Sequence, residues 1–149
     1  MRQSMGFGLL ELMVTLVVAA LLITLAVPAY DGFVQRARVA RAIGDISTIA
    51  LEVEKFRLKN DVLPPPNLGD LPIQIPLDPW DRPYQYVNIL GGSGGGYRKD
   101  GNLNPINTDF DLYSLGKDGD SSRTLNASNS RDDIVRANNG AFVGQAEDY

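Results

Sequence analysis

From Phe7 to Val27 the chain runs through twenty-one residues that are apolar or small except for one acid, Glu11. As a single helix rising about 1.5 Å per residue, this stretch is about 30 Å long, the hydrocarbon thickness of a bilayer. An export signal has a shorter apolar region and ends in small residues at a cleavage site beyond it. Here the small residue Gly6 precedes the run, behind the short leader MRQSMG, so a cut at that point keeps the apolar helix. A carboxylate inside such a helix is costly unless it has a partner. A cut after Gly6 would leave the new amino group of Phe7 one helical turn from Glu11. That amine, on the same chain or on a neighbour, is the natural counter-charge.

These residues resemble the amino terminus of type IV pilins and type II secretion pseudopilins, in which a short basic leader and a Gly precede Phe-Thr-Leu-Ile-Glu-Leu and a hydrophobic helix. Gly8 stands here for Thr and Leu10 for Ile, while Gly6, Phe7 and Glu11 match. The resemblance implies cleavage between Gly6 and Phe7 by a prepilin peptidase, N-methylation of Phe7, and a role for Glu11 in filament assembly. It also implies a single-pass inner-membrane protein whose carboxyl-terminal domain lies in the periplasm and which is assembled into a periplasmic filament. Charge alone favours the opposite orientation, because the leader carries only Arg2 whereas Arg36, Arg38 and Arg41 follow the apolar run. A plain signal anchor with Glu11 near the interface is the competing reading.

The 149 residues, less leader and span, leave enough chain for one small domain. Cys and His are both absent, which excludes a disulfide framework and removes the commonest catalytic base and metal ligand. No nucleophile–base constellation can be assembled from the motifs present, so no enzymatic activity is expected. The net charge of −4 is unevenly placed, with nine acids against four bases from Asp100 to Tyr149. That balance argues against a nucleic-acid partner, which needs a basic face, and suits a hard cation.

Pro28 ends the apolar run, where its missing N–H would remove the bond to the Thr24 carbonyl and bend or interrupt a continuing helix. The pilin family carries a Pro at this distance from the mature start, and the resemblance implies local melting there in filaments. Beyond it, Phe33, Ala37, Ala40, Ile43, Ile46 or Ala50, Val53 and Phe56 recur at three- and four-residue steps, the pattern of an amphipathic helix with this stripe facing a core. Arg41 and Asp45 stand at the i,i+4 spacing of a weak surface pair. Asn60 or Asp61 ends the helix, because the Pro64-Pro65-Pro66 run cannot continue it. The chain thus divides into a leader (1–6), an apolar span (7–27), an amphipathic helix (28–60) and a globular region (61–149).

A proline-rich connector leads to Asp78-Pro79-Trp80-Asp81-Arg82-Pro83-Tyr84, which is similar to the Asp-Pro-Trp-Gly-x-Pro-Tyr signature of major pseudopilins, with Asp81 in place of Gly. Asp is among the few residues that tolerate a positive φ, should that position need one. Trp80 is expected to pack the connector onto the helix. Tyr84 to Leu90 reads as a strand, 91–96 as a flexible hairpin loop, and Tyr97 to Lys99 as the start of a return strand. Gly101 to Thr108 reads as an irregular insertion, and the alternating Asp109 to Ser114 as the last main strand. The tail from Val135 to Tyr149 carries a few apolar anchors and no clear element.

After that strand come Leu115-Gly116-Lys117-Asp118-Gly119-Asp120 and, further on, Asp132-Asp133-Ile134. Calcium prefers six to eight oxygens, including carboxylates and carbonyls, that a flexible loop can supply. The spacing is not that of an EF-hand. Asp-Leu-Tyr-Ser-Leu-Gly-Lys-Asp-Gly followed by Asp-Asp-Ile is similar to the calcium loop of major pseudopilins. Carried over, the resemblance implies Ca2+ held by the Asp118 side chain, the Leu115 and Asp120 carbonyls, and Asp132 or Asp133. The alternative is that these acids form turns and solvated charge. Ser114-x-x-Lys117 and the sequon Asn126-Ala127-Ser128 match known motifs by spacing alone and are not taken as sites.

The expected molecule is therefore an α+β, type IV pilin-like chain. A long amino-terminal helix packs on a small antiparallel sheet, with a carboxyl-terminal calcium loop. The resemblance implies a structural subunit of a homopolymeric pseudopilus that drives type II protein secretion. Its partners would be the prepilin peptidase, minor pseudopilins, an inner-membrane assembly platform and the membrane itself. Two other readings fit the same residues: a type IV pilus subunit for adhesion or motility, and a membrane-anchored calcium-dependent binding module.

Overall fold

A computed structural model of the chain describes residues 8–92, 96–101 and 103–149. Gly6 and Phe7, the expected cleavage pair, lie outside the described residues, as do the rest of the leader and part of the Gly-rich loop. The chain divides into two compact units, Met1–Ala37 and Arg38–Tyr149.

Helix α1 spans Leu9–Asn60, 52 residues with Pro28 inside it. Its start is capped by the Gly8 carbonyl, which accepts from the Glu11 and Leu12 amides at 3.0 and 3.2 Å. Within the first unit every described side chain through Tyr30 is exposed. The two threonines there turn their hydroxyls inward, Thr15 donating to the Glu11 and Leu12 carbonyls and Thr24 to the Ala20 carbonyl. That removes two donors from a surface that is apolar through Val27 apart from Glu11. Of the two effects expected at Pro28, a bend or an interruption, the interruption does not occur, since the helix carries through it.

In the second unit α1 buries Ala42, Ile46, Ile49 and Val53, residues spaced four, three and four apart on one face. Val39, Ile43, Ala50 and Phe56 flank them, half-buried. The expected stripe was correct for Ile43, Ile46, Ala50, Val53 and Phe56, and wrong for Phe33, Ala37 and Ala40, which are exposed. The spacing continues back past Arg38, but Phe33 and Ala37 belong to the first unit and Ala40 sits on the far side of the face set by Ala42 and Ile46. Arg41 and Asp45 pair at 3.6 Å as their spacing suggested, and Asp45 also accepts the Tyr84 hydroxyl at 2.9 Å.

The sheet has four strands in the order β1 (Gln85–Asn88), β2 (Phe110–Ser114), β3 (Ile134–Ala137) and β4 (Phe142–Gln145), each antiparallel to its neighbour. Alternation along β2 and β3 separates two cores. Phe110, Leu112 and Ile134 meet α1, the connector residues Leu63, Leu68 and Leu71, and Tyr84 and Tyr86. Val135 and Ala137 face the other way, onto Ile106, Leu125 and Ala146, with Tyr113 and Phe142 packed against them.

Two expectations about the sheet are corrected. Tyr97 to Lys99 starts no strand; Lys99 makes a single parallel bridge to Thr124. The pairing partner of β1 is β2, matched from Gln85 opposite Tyr113 to Asn88 opposite Phe110. Nor is β2 the last strand, because the tail supplies the β3–β4 hairpin, and β2 is thereby central.

Candidate functional site

The amino-terminal candidate residues lie on α1. Glu11 is in its first turn and exposed. Among the described residues the ion pairs all fall between Arg41 and Arg136, so Glu11 has no cationic partner within them. The helix is long and apolar enough to cross a membrane.

In the second unit the Asp-Pro-Trp segment is a turn built on Asp78, which is 1% exposed. Its Oδ1 accepts the Trp80 and Arg82 amides, both at 2.9 Å, and its Oδ2 accepts the Ser114 hydroxyl at 2.6 Å. One carboxylate therefore closes the turn and ties it to the end of β2. Asp81 has φ +64, the left-handed conformation that its replacement of Gly anticipated. Trp80 is half-buried against the main core, to which α1 contributes Ala42, Ile46, Ile49 and Val53.

The carboxyl-terminal acids are divided among separate tasks. The Asp132 Oδ2 accepts the Lys117 and Asp118 amides at 2.6 and 3.0 Å, so the turn after β2 wraps a carboxylate with its own N–H groups. Gly116, at φ +63, is required there, because any side chain would run into the Asp132 carbonyl. The Asp118 Oδ1 accepts the Asp120 amide, the Asp120 Oδ1 accepts the Ser121 amide, and the Asp120 Oδ2 accepts from Asn129. The Leu115 carbonyl accepts the Gly119 amide at 3.2 Å. Among the described residues no three acids are gathered closely enough to hold a metal ion. Of the five residues assigned to calcium by resemblance, the Leu115 carbonyl and the Asp118, Asp120, Asp132 and Asp133 carboxylates each accept hydrogen bonds from the chain itself, while Asp133 Oδ1 is buried without a partner among the described residues.

Asp133 is fully buried and faces Arg98, itself 2% exposed. Arg98 Nη2 donates to Asp133 Oδ2 at 2.5 Å, and its Nη1 donates to the Ser121 hydroxyl and to the Ser122 carbonyl at 2.9 Å. Ser121 in turn donates to Asp133 Oδ2. The Arg98 guanidinium lies 4.4 Å from the Tyr113 ring centre, and the Arg98 amide donates to Asp111 Oδ2 at 2.7 Å. Burial pushes the Asp133 carboxyl up to about 6, while the Ser121 hydroxyl and Arg98 pull the other way. Burial likewise raises Asp111.

A second buried arginine, Arg136 on β3, grips both oxygens of Asp109 at 2.9 and 2.6 Å, donates to the Phe110 carbonyl at 3.0 Å and stacks 3.9 Å over the Phe110 ring. Burial works to raise the Asp109 carboxyl, but the Arg136 fork and the Phe110 amide outweigh it and hold it below the usual carboxylate range.

With this geometry in hand, the chain can be set beside known proteins. It is 32% identical over 138 residues to the type II secretion system core protein G of Pseudomonas aeruginosa, covering 79% of this chain and 87% of that one. The chain belongs to the type II secretion system core protein G family. Members from Escherichia coli, at 30% identity with 79% and 85% coverage, and Aeromonas hydrophila, at 27% with 80% and 87%, match over nearly the same length. A fimbrial protein of Pseudomonas aeruginosa is 30% identical over only 59 residues, 40% of this chain and 38% of that one. No family model matches.

Membership of the core protein G family, the major pseudopilins, agrees with the single apolar helix and the small antiparallel sheet. Sequence reasoning passed over Asp78, Arg98, Asp111 and Arg136. For Asp78 a signal existed: an Asp ahead of Pro-Trp and a reversal is a ready acceptor for the amides that follow. Arg98 and Arg136 gave none, because a lone arginine reads as surface charge until its burial is known.

Proposed function

We propose that this chain is a structural, non-catalytic subunit of a pseudopilus filament that drives type II protein secretion. The observation that carries the reading is the exposed apolar surface of α1 from Leu9 to Val27, interrupted by one acid at Glu11. Such a surface needs lipid or other helices around it, and a filament subunit meets both in turn. In the inner membrane, as a single-pass protein with its carboxyl-terminal unit in the periplasm, its surroundings are acyl chains. In the filament they are the equivalent helices of neighbouring copies.

Cleavage between Gly6 and Phe7 by a prepilin peptidase, followed by N-methylation of Phe7, leaves a cation at the helix start. Glu11 of one subunit pairs with the Phe7 amine of its neighbour. In a low-dielectric bundle that pair is strong enough to select one axial stagger over others. Minor pseudopilins and an inner-membrane assembly platform complete the partners, and Pro28 marks where the helix opens on assembly.

The test uses the full chain expressed with a prepilin peptidase. Intact mass of the mature protein is expected to correspond to a methylated Phe7 start. Glu11→Ala is expected to keep that mass and lose filaments in sheared-fibre assays by at least about tenfold, a pair worth 1.4 kcal/mol or more. Filaments at normal yield from Glu11→Ala would refute the pairing, and an uncleaved mass would refute the processing.

A further inference from the structure

The calcium expectation and the geometry disagree at the carboxyl-terminal loop, and the disagreement has a specific cause. A calcium ion needs six to eight oxygens turned toward one point. Here one of the assigned carboxylates, that of Asp133, and two neighbouring loop oxygens already face a cation that belongs to the chain. Asp133 Oδ2, the Ser121 hydroxyl and the Ser122 carbonyl all accept from Arg98. Asp132 Oδ2 is saturated by two amides, and a second guanidinium, that of Arg82, donates to the Gly116 carbonyl. A divalent ion brought to the remaining oxygen of Asp133 would share one carboxylate with a guanidinium, and like charges at that range repel strongly in a buried setting.

We propose that the Arg98 guanidinium takes, in this chain, the role that the resemblance assigns to calcium: it neutralises Asp133 and cross-links residues 121–122 to the start of β3 without a metal. The donor set is what such a role requires. It contains one carboxylate, one hydroxyl and one carbonyl, bound by a planar group that cannot lose its proton. Tyr113 fixes the guanidinium plane from one side, and the Arg98 amide anchors its backbone to β2 through Asp111. Because the cation is covalently part of the fold, the loop keeps its conformation when divalent ions are withdrawn. A metal-held loop gains stability from free ion by mass action; this one gains nothing.

The experiment melts the full chain in detergent micelles, followed by near-ultraviolet circular dichroism, in millimolar calcium and in excess chelator. The two wild-type curves are expected to coincide within about 1 °C, whereas the Arg98→Gln variant melts lower by more than about 8 °C, as loss of one partner of a buried pair in a small domain implies. A rise of several degrees with calcium in the wild type would overturn the proposal, as would an Arg98→Gln variant that melts with the wild type. Should Arg98→Gln fail to fold, Arg98→Lys supplies the second variant. It keeps the charge and loses the fork, and is expected to melt between the two, still without a calcium response. An unshifted Arg98→Lys curve, or one that calcium raises, counts against the fork.

Discussion

Residues 9–37 and residues 38–60 of α1 share one helical geometry and differ in what their apolar side chains touch. The second stretch buries Ala42, Ile46, Ile49 and Val53 against the sheet and connector of its own unit. The first leaves Leu9, Leu16, Leu21 and Phe33 at 81, 63, 62 and 64% exposure. Hydrophobic burial is the main force holding a small domain together. The stretch rich in apolar residues is therefore the one whose burial must come from outside the chain, and the stretch with mixed composition holds the domain together. Apolar content alone does not say where stability resides; the contacts do.

The largest effect that sharpens this contrast is expected in the core under the second stretch. Phe110 is fully buried, packs at 5.7 Å from Tyr86 and lies beneath the Arg136 guanidinium. Phe110→Ala is expected to lower unfolding free energy by about 3–5 kcal/mol in urea titrations of the full chain in micelles. A loss below about 1 kcal/mol would mean that the sheet does not depend on this packing.

A smaller effect comes through pH. Because Asp109 is held below the usual carboxylate range, its pair with Arg136 stabilises the fold fully above about pH 4, the ordinary carboxylate value, and the contribution fades as pH falls through the depressed value. Asp109→Asn is expected to flatten this acid limb between pH 5 and pH 2, on the order of the carboxylate range. Asp111, raised by burial, acts with the opposite sign and is kept constant in that comparison. An acid limb unchanged in Asp109→Asn would show that the Arg136 pair does not set it.

The smallest effect belongs to the first stretch. Leu16→Ala is expected to change the unfolding free energy of the same chain by less than about 0.5 kcal/mol, as an exposed position away from any packed feature should. A loss matching that at Phe110 would erase the distinction between the two stretches.

Local pattern carried some of this molecule into view and long-range pairing hid the rest. The helix was legible because a long apolar run and a following three–four spacing are both written in consecutive residues. Asp81 was legible because it stands where the similar signature has Gly, and Asp is among the few other residues that tolerate a positive φ. The face of α1 was only half legible, since Phe33, Ala37 and Ala40 satisfy the same spacing as the residues that pack. Strand β3 escaped notice because it carries Arg136 at a buried position that alternation alone would leave polar and exposed, and with it went its hairpin partner β4. The loop acids were visible as a cluster. What they bind was not, because Arg98 lies 35 residues from Asp133 and only the fold brings them together.

Trp80 has one more consequence. It is the only tryptophan in the chain, half-buried where the connector meets the core, with its indole Nε1 enclosed and unbonded among the described residues. Indole emission shifts to the blue in apolar surroundings and to the red in water. The protein therefore carries a built-in optical gauge at that junction, readable in lipid or in an assembled fibre without any label. Its colour reports whether the connector remains docked while the rest of the chain changes company.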